Sequence, residues 1–123
     1  MRFLPTRVHG VLDYLVGLLL IALPWLLDLD RSDAGTWLPV ALGVGSILYS
    51  VFTDYELGLV RRLAMPAHLA LDAVVGVLLL AGPWLFGAAD DVPRWPFVGL
   101  GLFAIAASLV THTVPGDRRA AAG

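Results

Sequence analysis

Residues 9–26 read HGVLDYLVGLLLIALPWL, and residues 68–85 read HLALDAVVGVLLLAGPWL. At this offset of 59 positions, 11 of 18 aligned residues are identical. The identities go beyond leucine and valine: His9/His68, Asp13/Asp72, Gly17/Gly76, Pro24/Pro83 and Trp25/Trp84 coincide. Two unrelated apolar segments would share aliphatic residues by composition. They would not share a polar pair four residues apart and a Pro-Trp at the far end. The chain is an internal duplication, so any fold must build one unit twice. A second match follows each first one. Residues 37–53 and 95–111 align at an offset of 58 with 7 of 17 identities, among them Trp37/Trp95, Gly43/Gly101, Ile47/Ile105, Ser50/Ser108 and Thr53/Thr111. The one-residue difference in offset falls in the connecting loops, where a deletion is tolerated.

What one unit can be follows from its apolar length. The chain has 123 residues, of which 59% are hydrophobic and 15% charged. Soluble domains are about 45–50% apolar and about 25% charged. The excess sits in four runs of the length that crosses a bilayer as a helix. The spacing predicts helices over 8–27, 36–53, 67–86 and 94–114, with Thr6 capping the first and Pro66 in the first turn of the third. Pro24 removes a backbone donor and should loosen the last turn of the first helix. Pro115-Gly116 stops the fourth. Each repeat, about 8–54 and about 67–114, is then a helical hairpin in a single membrane domain, and 115–123 is a flexible tail. The expected fold class is all-α: an integral membrane four-helix bundle of two tandem parallel hairpins, related by an axis along the membrane normal. Gly17, Gly43, Gly45, Gly76, Gly99 and Gly101 supply close helix contact. The basic, apolar N-terminus lacks a small-residue cleavage site, and its copy lies mid-chain, so it reads as a retained helix and not a signal peptide.

Arginine sets the orientation, since the chain has no lysine. Arg2, Arg7, Arg61, Arg62, Arg118 and Arg119 fall in the two termini and the middle segment; Arg31 and Arg94 fall in the other two loops. The positive-inside rule then puts both termini in the cytoplasm of a multi-pass plasma-membrane protein. The opposite loops carry Asp28, Asp30, Asp33, Asp90 and Asp91, which read as solvated. Trp25, Trp37, Trp84 and Trp95 fall at that outer boundary, where an amphipathic ring prefers the headgroup level.

The tandem hairpins with Pro24-Trp25 and Pro83-Trp84 near the end of each first helix, and a His-x-x-x-Asp pair upstream of each, resemble the SPW repeat family of small bacterial integral membrane proteins. The resemblance spans nearly the whole chain. It departs at the serine of the motif, where Leu23 and Gly82 stand. It implies architecture and a bacterial inner-membrane location, and no catalytic residue, cofactor or substrate.

The hairpin geometry brings His9, Asp13, Asp54, His68, Asp72 and His112 to one end of the bundle. His9 and Asp13 share a helix face, as do His68 and Asp72. An acid inside a span is costly. Its presence in both repeats points to the bundle interior, with a same-repeat His, Ser50, Ser108 or a first-turn amide as partner. The first reading is a polar cluster in a non-enzymatic structural or partner-binding module. The partners expected are the bilayer and a second copy or another membrane protein, with no nucleic acid, given a net charge of −2. The alternatives are a metal site of the two His and two Asp, a bis-histidine haem between His9 and His68, or a small-solute or proton pathway along the axis. The absence of cysteine removes disulfides, thiolate metal sites and Cys nucleophiles. No nucleophile–base pair is visible, so no enzyme, catalytic residue or cofactor is assigned.

Overall fold

The structure, a computed structural model, describes residues 2–85 and 93–118. Four helices follow the repeat: α1 (Thr6–Leu26), α2 (Leu38–Val51), α3 (Met65–Leu85) and α4 (Arg94–Val110). A short 3-10 turn, Ala34–Trp37, leads into α2, capped by the Asp33 carboxylate accepting from the Gly35 amide at 2.9 Å. No strand occurs among the described residues. Within each repeat the two helices pack along each other, α1 on α2 and α3 on α4, and α2 also meets α3. The chain is an all-α membrane bundle. α1 and α3 have 21 residues each, about 31 Å at about 1.5 Å per residue. They, and the continuous stretch Ala34–Val51, are long and apolar enough to cross a bilayer; α4, with 17 residues, is shorter. Outward-facing Leu15, Leu18, Val74, Val77 and Leu102 are each more than half exposed, a surface suited to lipid and not to water. Leu15/Val74 and Leu18/Val77 are themselves repeat partners.

The duplication is visible in the contacts. A Cβ on Gly43 would lie 2.6 Å from the Gly17 carbonyl, and one on Gly101 would lie 2.6 Å from the Gly76 carbonyl. These are the crossing points of the two hairpins. Gly45 and Gly99, expected as further packing notches, face open space. Their helical phase turns them away from the partner helix.

The same symmetry closes the end that carries both described termini. Leu4 pairs with Thr111, and Thr53 with Leu63, as isolated bridges. The Leu4 amide donates to Val110 O at 2.9 Å and the His112 amide to Leu4 O at 3.1 Å. In the other repeat, the Leu63 amide donates to Phe52 O and the Asp54 amide to Leu63 O, each at 2.7 Å. The N-terminal arm therefore docks on the end of α4 as the segment before α3 docks on the end of α2. This shortens both second helices relative to expectation. α2 stops at Val51 and α4 at Val110, because the next residues turn extended to make these bridges. Arg2 reinforces one of them, donating to Ser108 O at 2.8 Å and Thr111 O at 2.7 Å.

Thr6 does not cap α1; Pro5 holds that position without a side-chain bond. The Thr6 hydroxyl is buried and donates to the Glu56 carboxylate, 2.8 Å and 2.9 Å from its two oxygens, while accepting from the Gly116 amide at 2.9 Å. Arg118 adds a 2.6 Å bond to Asp54, and Arg61 a 2.8 Å bond to Asp117. The first residues of the expected tail thus hydrogen-bond to the body; 119–123, with Arg119, lie outside the described residues, as do Asp90 and Asp91 of the second outer loop. Pro66 sits in the first turn of α3, as expected. α1 ends two residues after Pro24. The Asp28 amide then bonds Trp25 O at 3.4 Å and the Leu29 amide bonds Pro24 O at 2.8 Å. This is a Schellman ending, with Asp28 left-handed at φ 51°.

Candidate functional site

Of the six residues singled out, the fold brings four together. His9, Asp13, His68 and Asp72 each offer one atom to a group in which all four atoms lie within 4.8 Å of one another. The helical i,i+4 spacing aims each His and its own Asp at the axis. The pairing then crosses between repeats. His9 Nε2 is 2.7 Å from Asp72 Oδ2 and 3.1 Å from Asp13 Oδ1. His68 Nε2 is 3.0 Å from Asp13 Oδ2 and 3.1 Å from Asp72 Oδ2. The imidazole rings stand edge to face with centroids 5.5 Å apart.

Asp54 and His112 stand outside the cluster. Both follow a bridge threonine, and extended backbone sends consecutive side chains to opposite sides. Thr53 and Thr111 therefore point in, while Asp54 pairs with Arg118. The two threonines join the cluster without having been expected there, although their coincidence in the repeat alignment, Thr53 with Thr111, is a usable signal. Thr111 Oγ1 is 2.7 Å from His9 Nδ1, and Thr53 Oγ1 is 2.7 Å from His68 Nδ1. Each hydroxyl gives its single proton to the carbonyl four residues earlier, at 2.6 Å: Thr53 to Tyr49 O, Thr111 to Ala107 O. The threonine oxygens must then accept, so both Nδ1 atoms carry hydrogen. In each neutral ring the lone pair sits on Nε2, facing the carboxylates.

The partners expected from serine are instead tyrosines. The Tyr49 hydroxyl donates to Asp72 Oδ1, and the Tyr55 hydroxyl donates to Asp13 Oδ2 at 2.8 Å. Ser108 bonds Ile105 O at 2.7 Å within its own helix. Burial, and then the Asp13 carboxylate, push the Tyr55 hydroxyl up, so it remains a donor. Tyr49 and Tyr55 have no counterpart in the second repeat, where Ala107 and Thr113 align with them. A cavity of about 40 Å³ opens beside His9, Asp13 and Asp72, walled in part by Ala107 and Phe103. That is room for water. It is far below the roughly 300–1,000 Å³ of pockets that hold larger ligands, so the cluster has no slot for the haem considered above. Towards the other end of the bundle the axis is filled by Leu20, Leu23, Leu79 and Phe97, which interrupts any polar path.

Chemically, the site is a buried set of carboxylates and imidazoles spanning two repeats, with its tyrosine and threonine hydroxyls all committed to partners. Trp25 and Trp84 of the Pro-Trp motifs lie far along the same helices, exposed, with Trp25 edge to face on Trp37 at 5.9 Å and the Arg94 guanidinium 5.6 Å over Trp84. They serve the bundle's other end and not the cluster.

No curated protein and no solved structure matches the chain. The family model of the SPW repeat domain matches residues 7–111. That match contains both His-x-x-x-Asp pairs, both Pro-Trp pairs and the two bridge threonines. With a duplicated hairpin of this design over nearly its whole length, the chain belongs to the SPW repeat family.

Proposed function

We propose that this protein is a non-enzymatic, multi-pass plasma-membrane module with both termini in the cytoplasm, in which the His–Asp cluster locks the two repeats together. The lock holds a rigid apolar face toward lipid or a membrane partner. The observation that carries this reading is the crossing of the pairs: His9 to Asp72 and Thr111, His68 to Asp13 and Thr53. Every one of these contacts joins one repeat to the other. In lipid there is little hydrophobic drive between helices, and polar contacts take a larger part in holding them. The arginine distribution supports the orientation: Arg2, Arg7, Arg61, Arg62 and Arg118 share the cluster's end, against Arg31 and Arg94 at the other.

The test has two parts. The chain has no cysteine, so single-cysteine variants label cleanly. Ser32→Cys is expected to react with an impermeant maleimide on intact cells, and Leu59→Cys only after permeabilisation; the reverse pattern rejects the orientation. Splitting the chain between the repeats and co-expressing the halves should give a complex that co-purifies, and Asp13→Asn with Asp72→Asn should dissociate it. A complex indifferent to both substitutions rejects the lock.

A further inference from the structure

We infer that the cluster at the repeat interface is a binding site for one divalent first-row transition metal ion, ligated by His9 Nε2, His68 Nε2 and the Asp13 and Asp72 carboxylates. This rests on the lock described above and names what sits at its centre.

The hydrogen-bond accounting leads there. Thr53 and Thr111 hold hydrogen on both Nδ1 atoms, so two nitrogen lone pairs and two carboxylates face one another. Four acceptors that converge within 4.8 Å need positive charge between them. Protons are one way to supply it. His9 Nε2 is placed to share one with Asp72 at 2.7 Å. His68 Nε2 is not. Its side chain is 0% exposed and it lies 3.0 Å and 3.1 Å from the two carboxylates, yet it forms no hydrogen bond, because neither oxygen lies in a bonding direction. A proton there would have no acceptor in line. A cation bonds to each ligand separately and needs only that the four atoms lie close together, and these lie within 4.8 Å of one another.

Charge, size and ligand type agree. Two carboxylates and two neutral imidazoles carry two negative charges, which a divalent ion cancels in a medium that penalises net charge. Tetrahedral metal–ligand bonds of about 2.0–2.2 Å place neighbouring ligand atoms about 3.3–3.6 Å apart. The observed His–Asp separations are 2.7–3.1 Å, within a group of four atoms that spans no more than 4.8 Å, so an ion is accommodated when the close pairs spread by about 0.2–0.9 Å. Two imidazoles favour zinc, cobalt or nickel over calcium and magnesium, which prefer all-oxygen sets. The outer partners of a metal site are also in place: a threonine oxygen on each imidazole N–H and a tyrosine hydroxyl on each carboxylate. The adjoining cavity of about 40 Å³ leaves room for a water ligand.

The test uses the full untagged chain in detergent, stripped with a chelator, with Zn²⁺ and Co²⁺ as probes. One equivalent of either ion should bind, with a chelator-reversible rise in Tm and a Co²⁺ ligand-field spectrum of mixed nitrogen and oxygen ligation. His68→Gln and Asp72→Asn should abolish binding. Because both ligands also hold the fold, Thr53→Val serves as the second variant. It keeps all four ligands and should weaken Zn²⁺ binding about 10–100-fold. A folded wild-type protein that binds neither ion overturns the inference, as does an Asp72→Asn variant that binds Co²⁺ unchanged. If the wild type binds no metal but Asp72→Asn still loosens the repeats, the metal site falls and the lock stands. If Asp72→Asn changes neither, both fall.

Discussion

His9 of the first repeat reaches Asp72 of the second, Nε2 to Oδ2, at 2.7 Å, with both side chains almost wholly out of solvent. Removing one partner of such a pair leaves the other buried without compensation, which costs about 3–5 kcal/mol in protein interiors. Asp72→Ala is therefore expected to lower unfolding free energy by about that amount, measured by denaturant titration in mild detergent. The double variant His9→Ala/Asp72→Ala should cost less than the sum of the two single changes, because the groups act as a unit. Strict additivity in that cycle would show that the contact carries no coupling.

Thr53 and Thr111 predict a matched pair of effects. Thr53→Val and Thr111→Val each preserve shape and remove the acceptor of a buried imidazole N–H. An unsatisfied buried donor costs about 1–3 kcal/mol. Both variants should fall in that range and near each other, while Thr53→Ser should stay within a few tenths of wild type. Unfolding curves of the three variants decide it. A neutral Thr53→Val would mean that His68 Nδ1 carries no hydrogen, and with it the tautomer assignment would fail.

How much of this was legible in the sequence depends on whether a residue occurs twice. The hairpin repeat, the shared depth of His9 and His68 and the inward turn of Asp13 and Asp72 all follow from aligning 9–26 with 68–85. Tyr49 and Tyr55 occur once. A phenol at a helix end and another in the segment after it give no periodic signal, and their aim depends on a chain turn set by the Thr53–Leu63 bridge. Asp54 and His112 are repeat partners at the right end of the bundle, yet they miss the cluster. Lying at one end of the bundle does not fix where a side chain aims: the chain turns extended at Thr53 and Thr111, and consecutive side chains then diverge. The exchange of partners between repeats was legible only as a preference for the interior, since distance along one helix says nothing about the neighbour across the axis.

Glycines separate the contact positions from the merely helical ones. Gly101→Ala would drive its Cβ to 2.6 Å from the Gly76 carbonyl and 2.8 Å from the Leu80 amide nitrogen, both backbone atoms that cannot rotate away. The hairpin must then open. A loss of about 1–3 kcal/mol is expected, in the range of overpacked cores. Gly99→Ala, two residues earlier, meets nothing within 4 Å. It should be neutral or stabilising, by up to about 1 kcal/mol, because alanine is the better helix former. The same contrast should hold between Gly43→Ala and Gly45→Ala in the first repeat, and thermal denaturation of the four variants reads it directly. Equal effects within a pair would argue against the helix phases described here.

Asp28 makes the opposite prediction, of a gain. It ends α1 in the left-handed region at φ 51°, a conformation that glycine adopts without the steric cost borne by a side chain. The Schellman bonds of Asp28 and Leu29 to Trp25 O and Pro24 O use backbone atoms only, so they survive loss of the carboxylate. The aligned position in the second repeat is already Gly87. Asp28→Gly should therefore raise stability by about 0.5–1 kcal/mol, despite the larger entropy that glycine gives the unfolded chain. Asp28→Ala removes the same charge but keeps a Cβ in the strained region, so it should lose stability relative to both. Comparing the Tm of the two variants isolates backbone conformation from charge. If alanine and glycine behave alike, the cap is governed by the acid's electrostatics and not by its left-handed turn.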